Sequence, residues 1–161
     1  MMSTVHHPIP PFYEKESRIL ILGSFPSVTS REACFFYAHA QNRFWQMLAR
    51  TDGSVPPRTA EEKKALLSRR KIALYDVLAA CDIKGSSDAS IRDASPTDLS
   101  PSFEGASIER ILCNGKTSYL YFQKFHRERW KREAFLLPST SPANAAFSLD
   151  ALCTAWHPYL L

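Results

Sequence analysis

Arg18-Ile19-Leu20-Ile21-Leu22-Gly23-Ser24-Phe25-Pro26-Ser27 is the stretch that decides the fold. An unbroken branched apolar run, closed by glycine and then proline, reads as a short strand buried on both faces, as in parallel sheets. Further strands are expected over residues 71–78, 108–113 and 133–137, each apolar and stopped by Gly, Pro or small polar residues. Helices are expected between them. Residues 42–50 place Phe44, Met47 and Leu48 at i, i+3 and i+4, and residues 59–70 open with Thr59 and Glu62 at capping-box spacing. Residues 117–130 set Leu120, Phe122 and Phe125 among Lys and Arg, and residues 143–156 supply the last helix. Strands alternating with helices specify an α/β fold, with a mainly parallel sheet covered on both faces. Such sheets bind ligands beyond the carboxyl ends of their strands, which directs attention to the loops after Leu22, Leu78, Cys113 and Leu137. Residues 81–105, with Gly85-Ser86-Ser87-Asp88 and Ser95-Pro96-Thr97-Asp98, read as a long polar connection, either functional or a plain surface loop.

The chain has 161 residues, 45% of them apolar, which suits one domain spanning 1–161, with residues 1–12 as an extended N-terminal arm. Folding at this size buries about 70% of the unfolded surface, so no disulfide or metal staple is required. The net charge of +4 permits a nucleic-acid partner and equally suits a solvated surface. Basic residues gather at Lys63, Lys64, Arg69, Arg70 and Lys71, and again at Lys124, Arg127, Arg129, Lys131 and Arg132. These are solvated faces unless one of them borders the ligand cleft, where it would attract phosphates. No apolar run reaches membrane-spanning length, and residues 1–11 lack the basic-then-apolar pattern of a signal peptide. A cytoplasmic protein with no membrane partner is expected. Cys34, Cys81, Cys113 and Cys153 are nowhere closer than 32 residues apart, so the close pairs of a zinc site are missing. Their apolar and small neighbours point to buried free thiols, and no metal is expected.

Two strand-end loops carry chemistry. The first is Gly23-Ser24-Phe25-Pro26-Ser27 with the later Phe35-Phe36-Tyr37-Ala38-His39-Ala40-Gln41-Asn42-Arg43-Phe44-Trp45. A tight turn, an aromatic cluster and an amide at a helix start can hold a flat ring and contact its edge. The second is Leu137-Pro138-Ser139-Thr140-Ser141-Pro142-Ala143-Asn144-Ala145, whose hydroxyls and backbone amides suit a phosphate. Each reading has a plainer counterpart. Phe35, Phe36, Phe44 and Trp45 serve equally as core, and Asn42 as a helix N-cap.

The first loop, together with Tyr37-Ala38-His39-Ala40-Gln41-Asn42-Arg43-Phe44-Trp45, resembles the uracil-DNA glycosylase superfamily. It is most similar to the hypoxanthine-DNA (deoxyinosine) glycosylases, with the mismatch-specific uracil/thymine glycosylases as near relatives. The resemblance covers residues 7–161 and includes Leu74-Tyr75-Asp76-Val77, Asn114-Gly115-Lys116 and Ser139-Thr140-Ser141-Pro142-Ala143. It implies a three-layer α/β/α sandwich around a central four-stranded, mainly parallel sheet. It also implies hydrolysis of the bond between a damaged base and deoxyribose, with the two motifs as opposite walls of the cleft. Uracil-directed members usually carry Asp or Asn where this chain has Phe25, and several relatives carry His or Asn where it has Ser139. Both departures fit the hypoxanthine-directed family, in which the catalytic amide is the Asn that matches Asn42. Relatives with an iron–sulfur cluster hold it with clustered cysteines, a spacing absent here. Ala40 stands where relatives often have Pro.

The resemblance assigns catalysis to Asn42 and base binding to Gly23, Ser24, Phe25, Tyr37 and His39, with Tyr37 stacking on the flipped base. It assigns DNA contacts to Pro26, Ser27, Lys116, Ser139, Thr140, Ser141, Pro142, Ala143 and Asn144. Phe25 reads also as a core plug, His39 as a loop-backbone partner and Lys116 as a plain exposed lysine. Asp88 lies in the long loop with no motif to fix its role. An amide is no general base, but its carbonyl can orient water and its NH₂ can donate to the base. The expected protein is a cofactor-free, monofunctional, monomeric glycosylase acting on DNA that contains a deaminated base. The alternatives are a uracil/thymine mismatch glycosylase and a catalytically silent DNA- or nucleotide-binding module.

Overall fold

The computed structural model describes residues 4–161. Its strands are β1 (Thr4–His6), β2 (Ile19–Gly23), β3 (Ile72–Asp76), β4 (Leu78–Asp82), β5 (Arg92–Pro96), β6 (Arg110–Asn114) and β7 (Phe135–Leu137). Its helices are α1 (Val28–Ala33), α2 (Phe44–Asp52), α3 (Ala60–Arg70), α4 (Ser100–Gly105), α5 (Lys116–Phe125), α6 (Arg127–Trp130) and α7 (Leu149–Trp156).

The main sheet has the order β3-β2-β6-β7, and every pairing in it is parallel. The opening stretch forms β2, an inner strand buried at each position. Alternation along it feeds two cores. Ile19 and Ile21 join Ile72, Leu74 and Leu112 beneath Phe44, Met47 and Leu48 of α2, Leu66 and Leu67 of α3, and Leu152 and Trp156 of α7. Leu20 and Leu22 join Ala73, Ile111 and Cys113 against Leu78, Leu99 and Phe122 on the opposite face. The three-layer α/β/α arrangement around a four-stranded parallel sheet follows.

One layer holds more than helices. β1, β4 and β5 form an antiparallel sheet in the order β1-β4-β5. The expected strand over 71–78 is two strands, because the chain turns at Val77. There Val77 donates its N–H to the Gly23 carbonyl at 2.9 Å, and Leu78 donates to that of Ser24 at 3.2 Å. Residues 81–105, expected as a loop, contain β5, a 3₁₀ turn at Asp88–Ser90 and α4. The extended N-terminal stretch pairs with β4 from Thr4 onward and bridges Leu74 at Phe12; residues 1–3 lie outside the described part. The last helix starts only at Leu149, where the Ser148 side chain accepts from the Ala151 N–H. The cysteines divide: Cys81 and Cys113 are buried, whereas Cys34 is exposed and Cys153 half-buried, so the expectation of four buried thiols fails for two. Cys34 is exposed because it ends α1 in a left-handed turn, φ 56°. Burial pushes the Cys113 thiol up to about 12.

Candidate active site

A cleft of about 650 Å³ opens beyond the carboxyl ends of the main strands. Gly23 ends β2, Asp76 ends β3, Asn114 ends β6 and Ser139 follows β7, and all four line it. The strand order changes direction between β2 and β6, so the cleft lies where α/β sheets hold ligands. Gly23, Ser24, Phe25, Pro26, Ser27, Tyr37, His39 and Asn42 line it from the first motif, and Ser139, Thr140, Ser141, Pro142 and Ala143 from the second. Lys116 and Asn144 are not among the lining residues. Lys116 is exposed at the start of α5, and Asn144 spends its NH₂ on the Ser139 carbonyl at 3.0 Å, bracing the second loop.

The first motif is shaped by close packing. A Cβ on Gly23 would lie 2.4 Å from Asp76 Oδ1, so the position needs glycine for space. Ser27 caps α1 by accepting the Ser30 N–H at 3.1 Å. Phe25 is buried edge-on against His7, with centroids 5.9 Å apart, yet it also borders the cleft. Phe25 is therefore a core residue that also forms part of the cleft wall. Tyr37 adopts φ 53°, a conformation that disfavours a side chain, in a wall of the cleft. Its ring stacks on Phe44 at 4.1 Å. Burial first, and then the charge of Asp76, raise the Tyr37 phenol above its ordinary range. His39 is exposed and accepts the Gln41 N–H at Nδ1, 3.1 Å, so its imidazole does brace the loop backbone.

Asn42 is held by its oxygen. Oδ1 accepts the Phe44 N–H at 3.0 Å and the Thr140 hydroxyl at 2.8 Å. A carbonyl has two lone pairs, so this oxygen is full. The backbone N–H of Phe44 can only donate, which fixes the amide's orientation and leaves Nδ2 as its free end. Thr140 is itself fully buried and doubly bonded to Asn114: Asn114 Nδ2 donates to its hydroxyl and Asn114 Oδ1 accepts its N–H, both at 3.0 Å. The ends of β6, the second loop and the start of α2 thus meet at one buried hydroxyl. Arg43 locks the same junction, donating to the carbonyls of Ser141 at 3.0 Å, Asn144 at 3.1 Å and Phe147.

The floor is a buried pair. His7 Nε2 lies 2.7 Å from Asp76 Oδ2, with both side chains nearly inaccessible. His7 Nδ1 accepts the Ile9 N–H at 3.2 Å, so Nε2 carries the proton and donates it to the carboxylate. The long loop closes a further wall with Ser86, Ser87, Asp88 and Ala89. Ser24 donates its hydroxyl to Asp88 Oδ1 at 2.9 Å. Asp88 is exposed as a residue, yet desolvation of its carboxyl in the cleft leads the effects that raise it above the usual carboxylate range.

Sequence reasoning missed Asp76, Asn114, Arg43 and His7 as members of this site. Asp76 and Asn114 had a usable signal, since each is the polar residue closing an apolar strand at its carboxyl end. His7 had none, because its role depends on a chain crossing. The two basic runs do not line the cleft. Several of their members have local partners: Arg69 pairs with Asp52 at 2.5 Å, Arg127 with Glu133 at 2.9 Å, and Arg132 donates to the Ile108 carbonyl at 2.8 Å.

Known proteins resemble this chain in sequence and fold. Residues 10–157 match the profile of the uracil DNA glycosylase superfamily. A protein of Methanosarcina acetivorans named hypoxanthine DNA glycosylase is 33% identical over 141 residues, covering 86% of this chain and 88% of its own. A protein of Methanosarcina barkeri with the same name is 32% identical over 149 residues, covering 91% and 92%. The solution NMR structure of a candidate uracil DNA glycosylase from Methanosarcina acetivorans superimposes with a TM-score of 0.82 at 28% identity, over 98% of this chain and 97% of that one. A cleft at the strand switch point, walled by these two motifs and matched along nearly the whole chain, leaves one conclusion: the chain belongs to the uracil DNA glycosylase superfamily.

Proposed function

We propose that this chain removes hypoxanthine from deoxyinosine in DNA by hydrolysing the N-glycosidic bond, as a monofunctional glycosylase of base excision repair. The observation that carries the reading is the fixed Asn42 amide, which offers the cleft its NH₂ and no acceptor. Deamination of adenine replaces an amino donor at C6 with a carbonyl acceptor. A donor-only amide pairs with that carbonyl and meets adenine's amino group donor to donor. Two relatives named hypoxanthine DNA glycosylase support the same substrate.

A base within a duplex is out of reach, so the nucleotide is extruded at a cost of a few kcal/mol, less for a mispaired inosine. Tyr37 and Phe25 supply aromatic walls for the flipped base. Asn42 Nδ2 holds the negative charge that develops on it as the bond breaks. Ser139, Ser141, Pro142 and Ala143, with Pro26 and Ser27, form the rim for the DNA backbone; Thr140, expected to contact DNA, is fully buried and instead braces the loop from beneath, and Lys116 and Asn144 contact the backbone from outside the cleft. Water is the nucleophile and no cofactor takes part. The reading takes the protein as a monomer of one domain acting in the cytoplasm, and the lining of the cleft is supplied by residues of one chain.

Duplexes containing inosine, uracil or a thymine mismatch, incubated with the protein and then cut with alkali at abasic sites, test the reading. Inosine strands should be cut. Asn42→Ala should lower release by about 10²–10³-fold or more while DNA affinity holds. Cleavage of uracil strands with inosine untouched would establish the uracil-directed alternative. Binding without release from any strand would establish the silent module.

A further inference from the structure

The attacking water needs an acceptor, and Asn42 offers none, since both lone pairs of its carbonyl are occupied. The third position of the first turn is Phe25, which has no polar side-chain atom. His39 accepts at Nδ1 from the Gln41 N–H, which leaves Nε2 as a donor in the neutral ring. Asp76 is 3% exposed and already engaged by His7. Among the described residues lining the cleft, one more carboxyl remains, that of Asp88.

Asp88 is held in place. It opens the 3₁₀ turn Asp88–Ser90, and Ser24 at the end of β2 donates to its Oδ1 at 2.9 Å. The same loop is stitched to α1: Val28 donates its N–H to Ser86 Oγ at 3.0 Å, and Arg31 reaches the Gly85 carbonyl at 3.4 Å. Inside the loop, Lys84 donates its N–H to Ser90 Oγ at 2.8 Å. A carboxylate only accepts, so it opposes the acceptor edge of hypoxanthine and suits a water molecule. Its negative charge also favours the positive charge that grows on the sugar.

We propose that Asp88 is the catalytic carboxylate that orients the hydrolytic water and takes its proton. The proposal deepens the reading of the chain as a hypoxanthine glycosylase and rests on it. The water oxygen bonds to C1′ as the bond from C1′ to N9 breaks, and that bond's electron pair leaves on N9. The water's proton passes to Asp88 and on to solvent, and the departing base takes a proton from solvent. The groups that face Asp88 are Ser24 from the first turn, Thr117 from α5, and Asp76 from β3 with His7 behind it. Desolvation, and after it the charge of Asp76, raise the Asp88 carboxyl against the two hydroxyls, which makes the ionised form a stronger base.

Single-turnover release of hypoxanthine from an inosine duplex, followed from acid to neutral pH, tests this. Asp88→Asn keeps an acceptor for Ser24 and should slow release by about 10²–10⁴-fold with DNA affinity and melting temperature unchanged. The wild-type rate should fall as pH drops through the Asp88 pKa, and the variant should lose that acid limb. Asp88→Ala should regain rate with added formate. A variant within about threefold of wild type, with the same pH profile, would overturn the role of Asp88 and leave the substrate reading standing. A rate that falls together with DNA affinity, and that formate does not restore, marks a structural carboxylate and also overturns it. Wild-type protein that releases uracil and not hypoxanthine overturns the substrate reading, and the same Asp88→Asn ratio measured on uracil then decides Asp88. Wild-type protein that releases no base overturns both.

Discussion

Thr140 shows how much one side chain organises. Its hydroxyl accepts from Asn114 and donates to Asn42, so a single buried oxygen sets the register between two strand-end loops. Thr140→Val keeps the shape and removes the relay, stranding Asn114 Nδ2. The expected cost is about 1–3 kcal/mol in urea denaturation. Base release should also slow, by less than in Asn42→Ala, because Phe44 still holds the amide. Thr140→Ser should recover both, which separates the hydroxyl from the packing. At this scale the sequence left alternatives that the structure merges. Asn42 lies one residue before the Arg43 cap position, its oxygen accepts the first helical N–H of α2, that of Phe44, and the residue lines the cleft. A sequence names the amide but not which end is occupied, since that depends on Thr140, far away along the chain.

The elements were legible where burial or capping is local. Thr59 accepts the Glu62 N–H at 3.1 Å, as the spacing of the two residues foretold, whereas Glu62 reaches one residue past the cap to the Arg58 N–H at 3.0 Å. Thr59→Ala should lower stability by about 1 kcal/mol in thermal or urea melts and leave base release untouched, because α3 does not line the cleft. The four strands of the main sheet were legible for a similar reason. A strand covered on both faces must be apolar throughout. β5 escaped because Arg92-Asp93-Ala94-Ser95-Pro96 has no buried alternation, and its backbone pairs with β4 through register shifts. The first half of the expected last helix was lost because residues 143–148 turn inside the second loop, with Asn144 and Phe147 both bonded to Arg43.

Across the whole molecule, the pair His7–Asp76 ties the N-terminal segment to the end of β3, directly beneath the cleft. His7→Ala leaves a carboxylate buried without its donor. The expected loss is about 3–5 kcal/mol of stability, read by urea melts, with base release falling as the floor of the cleft relaxes. His7→Gln, which keeps an N–H donor, should recover part of both. The same scale reassigns the net charge of +4. The two basic runs that stood out in the sequence do not line the cleft, and several of their arginines pair with other groups of the chain.

By itself the sequence determined the α/β class, the parallel sheet and the two loops that wall the cleft. Those features rest on local patterns, namely apolar runs, caps and turns. Tertiary structure alone decided which atoms of those loops are free. It filled the Asn42 oxygen, put His7 under Asp76, and folded a polar connection back so that Asp88 meets Ser24. Each of these contacts joins residues more than sixty positions apart, and no local propensity encodes a contact of that range.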